Sequence, residues 1–258
     1  MTALDTDALV LHLFDYRETS RIVRLVTREA GVVSVVARGA RRPRNRFGAA
    51  LDLFASGVAH VAMHGSGDLH ALHAFDATRS RPELASSLDR FAAAAMLGEL
   101  CLRFAPSAES GAVYDAAVAA LDAVGTVPPP DVTTAALAGA WRLVAEFGFA
   151  PAVDVCAHCH DPIPAGVDVT FHYRAGGVVC ARCARHASGG RRLPAAARAA
   201  LSGWLAGRAE PAQSGPDARA HARLLREFLE EHLGDGKPLR AFLAWEERLA
   251  RGDPAPQP

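Results

Sequence analysis

Apolar and polar positions alternate with a short period through the first third of the chain. ALVLHLFD (8–15), SRIVRLVT (20–27) and GVVSVVAR (31–38) are β-rich segments, and LDLFASGVAHVAMH (51–64) and LHALHAFD (69–76) complete a set of five. Turn signals separate them: Glu29-Ala30-Gly31, a Gly/Pro-punctuated stretch over 39–48, and Gly65-Ser66-Gly67. Gly57 inside the fourth segment predicts a bulge or bend, which a small closed barrel needs. Five short strands within residues 1–79 predict such a barrel, with the OB-fold as first candidate.

The period changes at Ser80. Ser80-x-x-Glu83 reads as a capping box with Pro82 in the first turn, and Leu84, Leu88, Phe91, Ala95 and Leu102 recur at helical spacing as a core face. A second helix is expected over about 111–124, stopping at Gly125 and the prolines of 128–130. A third follows Asp131, with Leu137, Trp141 and Val144 on one face, and ends at Gly148. After a distinct stretch at 151–192, helices resume at about 194–206. The composition of 206–216 is that of a linker. DARAHARLLREFLEEHLG then turns Leu224, Leu225, Phe228, Leu229 and Leu233 inward, with Gly234 as its stop. The last helix, 238–252, carries Leu239, Phe242, Trp245 and Leu249, and a disordered tail is expected over 252–258. The fold class is therefore α+β and multidomain. A barrel (1–79) precedes a helical domain in two parts (80–150 and 193–251) that carries a small module (151–192).

Charge singles out one stretch. The whole chain is neutral, with 28 basic and 28 acidic residues, yet Asp15–Phe54 sets nine arginines against four acids. GARRPRNRFG (39–48) has four arginines and no acid. A cationic loop between two apolar strands fits a fixed polyanion, most simply a phosphate backbone, although a charge run taken alone reads first as a solvated surface loop. The basic candidates are Arg21, Arg24, Arg38, Arg41, Arg42, Arg44 and Arg46. Tyr16 and Phe47 flank turns and are the stacking candidates, whereas Phe14 and Phe54 are expected in the barrel core.

Cys156-x2-Cys159 and Cys180-x2-Cys183, with 20 residues between the pairs, form the most specific motif. Each turn aims two sulfurs at one spot, and two turns supply four thiolates for a tetrahedral Zn²⁺ with no position left for water, which predicts a structural ion. The spacer predicts a hairpin, VDVTFHY (167–173) returning through 176–179, to give a zinc-ribbon-like unit. His158, His160 and His186 lie nearby in sequence and read either as replacements for a cysteine or as surface residues. A thioredoxin-like redox role lacks its βαβ context. Base deamination lacks its His-x-Glu, since none of the eleven histidines is followed by x-Glu. No P-loop, His-Glu-x-x-His or G-x-S-x-G exists, and Cys101 in an apolar helix reads as core, so no enzyme and no bound nucleotide is expected. MTALDTDALV has acids where an export signal would be positive, and no long uncharged apolar run is present, so a cytoplasmic, membrane-free protein is expected.

These residues resemble the RecO family of bacterial recombination-mediator and DNA-repair proteins. The matching pieces are D-Y-x-E-x-x-R-I-V (15–23), L-x-T-x-x-x-G (25–31), A-R-G-A-R-x-P-x-x-R-F (37–47), LGELCLRF (97–104), G-F-x-P (148–151) and the paired CxxC. The resemblance implies an OB-fold and a helical domain with a zinc module. It implies binding of single- and double-stranded DNA, ATP-independent annealing, and help in loading RecA onto strands coated by single-strand-binding protein (SSB). It also implies RecR and the acidic C-terminal tail of SSB as partners, in the cytoplasm near the nucleoid. Arg38, Arg41 and Arg46 match the motif, and Arg42 and Arg44 share its loop. A rival from another class is a zinc-containing interaction adaptor whose DNA contact is incidental.

Overall fold

A computed structural model describes residues 2–48, 50–65, 69–106, 111–186, 189–208 and 216–251. The chain divides into two compact units, 1–126 and 127–258.

Unit 1 opens with β1 (Thr2–Tyr16), β2 (Ser20–Thr27), β3 (Gly31–Ala37), β4 (Ser56–Met63) and β5 (Leu69–Arg79). They close in the order β1-β2-β3-β5-β4, with β4 returning to β1. Every pair is antiparallel except β3 with β5. This is the expected OB-like barrel, and its interior is one apolar cluster that includes Val10, Val23, Leu25, Val35, Val61, Leu72 and Phe75. β1 begins six residues earlier than its apolar run, because Thr2–Leu9 pair along the whole of β4, and a partner strand stabilises polar residues that pattern alone leaves out. β4 begins at Ser56 rather than 51, and the preceding turn buries Leu51, Phe54 and Ala55 under the barrel. Gly57 sits at a register shift between β4 and β5, as expected, and a Cβ there would stand 2.4 Å from the Asp76 carbonyl oxygen. The turn expected at 65–67 lies largely outside the described residues.

Two helices complete unit 1: α1 (Leu88–Phe104) and α2 (Gly111–Thr126), preceded by a 3-10 turn at Pro82–Ala85. The capping box at Ser80 is not the cap of α1. Ser87 adopts an extended backbone that ends the 3-10 turn, and its hydroxyl accepts the Arg90 N–H at 3.2 Å. The expected core face of α1 is also corrected. Leu88 and Phe91 are 68% and 43% exposed, while Ala93, Ala94, Met96, Leu97, Leu100 and Cys101 are buried. Alanines and Gly98 permit close approach, and a Cβ at Gly98 would already touch Phe54 at 3.5 Å. Cys101 is core as expected, and burial pushes its thiol up to about 12. Arg81, whose side chain has no exposure, donates to the Phe54 carbonyl and the Ser56 hydroxyl and pairs with Asp122 at 2.6 Å, so one guanidinium ties the start of β4 to α2.

Unit 2 contains α3 (Val132–Glu146), β6 (Val169–His172), β7 (Gly177–Val179), the single turn α4 (Ala181–Ala184), β8 (Arg191–Leu193), α5 (Ala195–Leu205), α6 (Pro216–His232) and α7 (Arg240–Arg251). The expected hairpin is β6–β7, and β8, too short for any period to announce, adds a third strand on the other side of β6. Phe171 of β6 packs its ring 5.9 Å from Phe228 of α6, which lies 5.6 Å from Trp141 of α3. The β6–β7 hairpin, which leads directly into Cys180, therefore shares one aromatic core with the helices. Leu224, Leu225, Phe228 and Leu229 face inward as the pattern predicts, as do Leu239, Phe242 and Trp245. Most of the expected linker and all of the expected tail lie outside the described residues. Among the described residues no helix is long and apolar enough to cross a membrane.

Candidate nucleic-acid interface and metal centre

A bulge at Leu11 in β1 reverses the alternation and turns His12, Phe14 and Tyr16 away from the barrel interior. Strand register then sets two rows on the outer face: Phe14, Ile22, Val36 and Ala71 in one, His12, Arg24, Ser34 and Leu69 in the next. At the end of this face lies a groove of about 470 Å³ lined by Tyr16, Arg17, Arg38, Arg42, His64 and His70, and among the described residues no carboxylate lines it. The β1–β2 turn supplies Arg17, the loop after β3 supplies Arg38 and Arg42, His64 directly follows β4, and His70 lies at the start of β5.

The candidate residues divide by what they already hold. Arg38, Arg42 and Arg44 are exposed, and among the described residues no carboxylate lies in ion-pair range of any of them. Arg21 and Arg41 share Asp15, at 3.5 and 3.4 Å, and Arg41 also donates to the Glu18 carbonyl. Arg46 lies over the Phe47 ring and donates to the Leu72 carbonyl at 3.1 Å. Arg24 donates to the Leu102 carbonyl at the end of α1, and burial there lowers its pKa. Tyr16 lines the groove under the Arg17 guanidinium, 5.1 Å from its ring centre.

The aromatic assignment needs a correction. Phe47 is 4% exposed and belongs to the barrel core, so its ring is closed to a base, whereas Phe14, expected in the core, is 41% exposed. The loop folds back over the barrel end and drives Phe47 inward, while the Leu11 bulge drives Phe14 outward. Arg17, His64 and His70 are groove residues that the pattern did not single out. Arg17 stands in the turn joining two strands of the charged stretch, which is a legible signal. His64, just after β4, and His70, in β5, meet only in the fold, where the His64 N–H donates to His70 Nδ1.

In unit 2, Cys156, Cys159, Cys180 and Cys183 bring their sulfurs within 4.8 Å of one another, and none is in a disulfide. The two turns are built alike: the His160 N–H donates to the Cys156 carbonyl, and the Ala184 N–H to that of Cys180. His160 takes a φ of 60° to close the first. No histidine joins the sulfur cluster among the described residues. Burial works against ionisation of Cys156, yet N–H groups of residues 159, 180 and 158 draw its thiol down to about 6. Four metal–sulfur bonds of about 2.3 Å in a tetrahedron put sulfurs about 3.8 Å apart, and Cys159 and Cys180 Sγ are 3.8 Å apart. The donor set therefore fits a four-coordinate thiophilic ion with no open position.

Two family profiles match the chain: Recombination protein O N terminal over residues 1–81, and Recombination protein O C terminal over residues 85–241. A "DNA repair protein RecO" of Anaeromyxobacter sp. (strain K) is 35% identical over 249 residues, covering 94% of this chain and 96% of the relative. That of Myxococcus xanthus (strain DK1622) is 32% identical, covering 91% and 94%. That of Gloeobacter violaceus is 31% identical, covering 87% and 85%.

Proposed function

Because the chain belongs to the RecO family of DNA repair proteins, we propose that it is a DNA-binding recombination mediator. It binds single- and double-stranded DNA, anneals complementary strands without ATP, and helps load RecA onto SSB-coated strands. The observation that carries this function is the groove on the barrel, with Arg17, Arg38 and Arg42 around Tyr16 and no carboxylate among its described lining residues. Guanidinium forks hold phosphates, and the ring faces of Tyr16 and Phe14 offer stacking to unpaired bases without reading their sequence. Arg44 extends the cationic edge. Arg21 and Arg41 contribute less, since Asp15 already neutralises part of their charge, and Arg24 and Arg46 contribute while keeping their carbonyl partners. Neutralising phosphates lets two like-charged strands approach, so annealing needs neither a catalytic residue nor a nucleotide. The four cysteines hold a structural Zn²⁺, which when bound fixes two turns and takes no part in chemistry. RecR and the acidic SSB tail are the protein partners, and the protein works in the cytoplasm at the nucleoid.

Gel shifts over a range of salt concentrations test this. Replacing Arg38, Arg42 and Arg44 with Ala should weaken all sequences alike and flatten the salt slope by about one unit per lost phosphate contact. Unchanged affinity and slope in the triple variant would take the groove out of the interface.

A further inference from the structure

Unit 2 has a cationic groove of its own beside the cysteine cluster. It measures about 590 Å³, and its walls include His158, His172, Arg174, Arg182 and His186 over a floor at Val179, with no carboxylate among the described residues of the lining. The Arg174 and Arg182 side chains are 83% and 64% exposed, so both reach solvent, and Arg182 also hydrogen-bonds the Cys159 and Cys183 sulfurs. Each has one acid nearby that does not line the groove: Glu231 is 3.5 Å from Arg174, and Asp161 is 2.7 Å from Arg182. The cysteine turns build the walls. His158 lies within the first CxxC and Arg182 within the second, His186 follows directly, and Cys183 itself lines the groove.

Two guanidinium forks bind phosphate oxygens, and imidazole faces over a small apolar floor suit a flat ring. The charge rests on arginines, which stay protonated, so the site does not depend on histidine titration. A peptide carboxylate could meet the same forks, but three imidazoles around a floor of small side chains match an unpaired base better than an acidic side chain. We propose that this groove is a second single-strand site, so that one chain holds one strand on the barrel of unit 1 and another on unit 2. The inference rests on the proposed annealing function and adds where the second strand is held.

The test uses the full-length, metal-loaded chain and a labelled oligonucleotide that cannot pair with itself. The variant Arg174→Ala/Arg182→Ala, with its metal content checked, is compared with the wild type and with the barrel triple variant. The wild type should bind two oligonucleotides per chain. The groove variant should bind one, at wild-type affinity, and anneal complementary strands about tenfold more slowly, the effect of losing roughly 1.4 kcal/mol. If the groove variant still binds two strands and anneals at the wild-type rate while the barrel variant is impaired, the second site is wrong and the proposed function stands. If neither variant differs from the wild type, both fall. Uptake of an acidic peptide by the groove with no second oligonucleotide bound would also overturn the inference.

Discussion

His60 stands on the outer face of β4 with a carboxylate at each ring nitrogen: Nδ1 is 2.8 Å from Asp5 and Nε2 3.0 Å from Asp76. Both nitrogens can donate only in the imidazolium form, and the hydrogen bond to Asp76, then that to Asp5, raises the pKa above the ordinary imidazole value. The folded value exceeds the unfolded one, so this bridge between β1, β4 and β5 contributes fully below the unfolded pKa and is lost as pH rises through the folded pKa. Denaturant unfolding from about pH 6 to about pH 9 should show wild-type stability falling relative to His60→Gln as pH rises, with the difference greatest at the acid end. A constant difference across that range would show that the bridge does not titrate. The same scale governs the proposed DNA binding. Nine arginines in one stretch are legible at sight, but Asp15 occupies two of them, and Asp7 and Asp115 hold a third, Arg28. Such pairings join residues distant in the chain, so no local pattern announces them.

At the scale of elements, β4 depends on one residue without a side chain. A Cβ at Gly57 would lie 2.4 Å from the Asp76 oxygen and 2.8 Å from the Ala77 Cα, both backbone atoms that cannot swing aside. Gly57→Ala should lower barrel stability by about 2 kcal/mol, the usual scale of overpacking. Gly65→Ala, with nothing within 4 Å, should leave the thermal midpoint near wild type and serves as the control. Equal midpoints for the two variants would place the bulge elsewhere. The strands were legible because alternation reports one buried face. The face of α1 was not, because an alanine-rich helix has apolar residues on more than one side, and the barrel accepted the small side while leaving Leu88 and Phe91 outward.

At the scale of the whole molecule, the chain forms two compact units, and all three tryptophans, at 141, 204 and 245, lie in the second. Phe171 joins the hairpin between the two cysteine turns to Phe228, and Phe228 to Trp141, so loss of a metal that ties those turns together should loosen the aromatic core of unit 2. Chelation, or Cys180→Ser, should shift tryptophan emission to the red, while the barrel still binds an oligonucleotide at low salt. Unmoved emission after metal removal would show that the hairpin folds without an ion.

The sequence by itself determined five strands, the order of the helices and four sulfurs converging on one point, because alternation, helical period and CxxC spacing are local properties written along the chain. The tertiary structure alone decided which arginines remain open to a phosphate, why Phe14 rather than Phe47 faces solvent, and which side of α1 is buried. Those outcomes depend on strand register, on one bulge and on close approach between segments far apart in sequence.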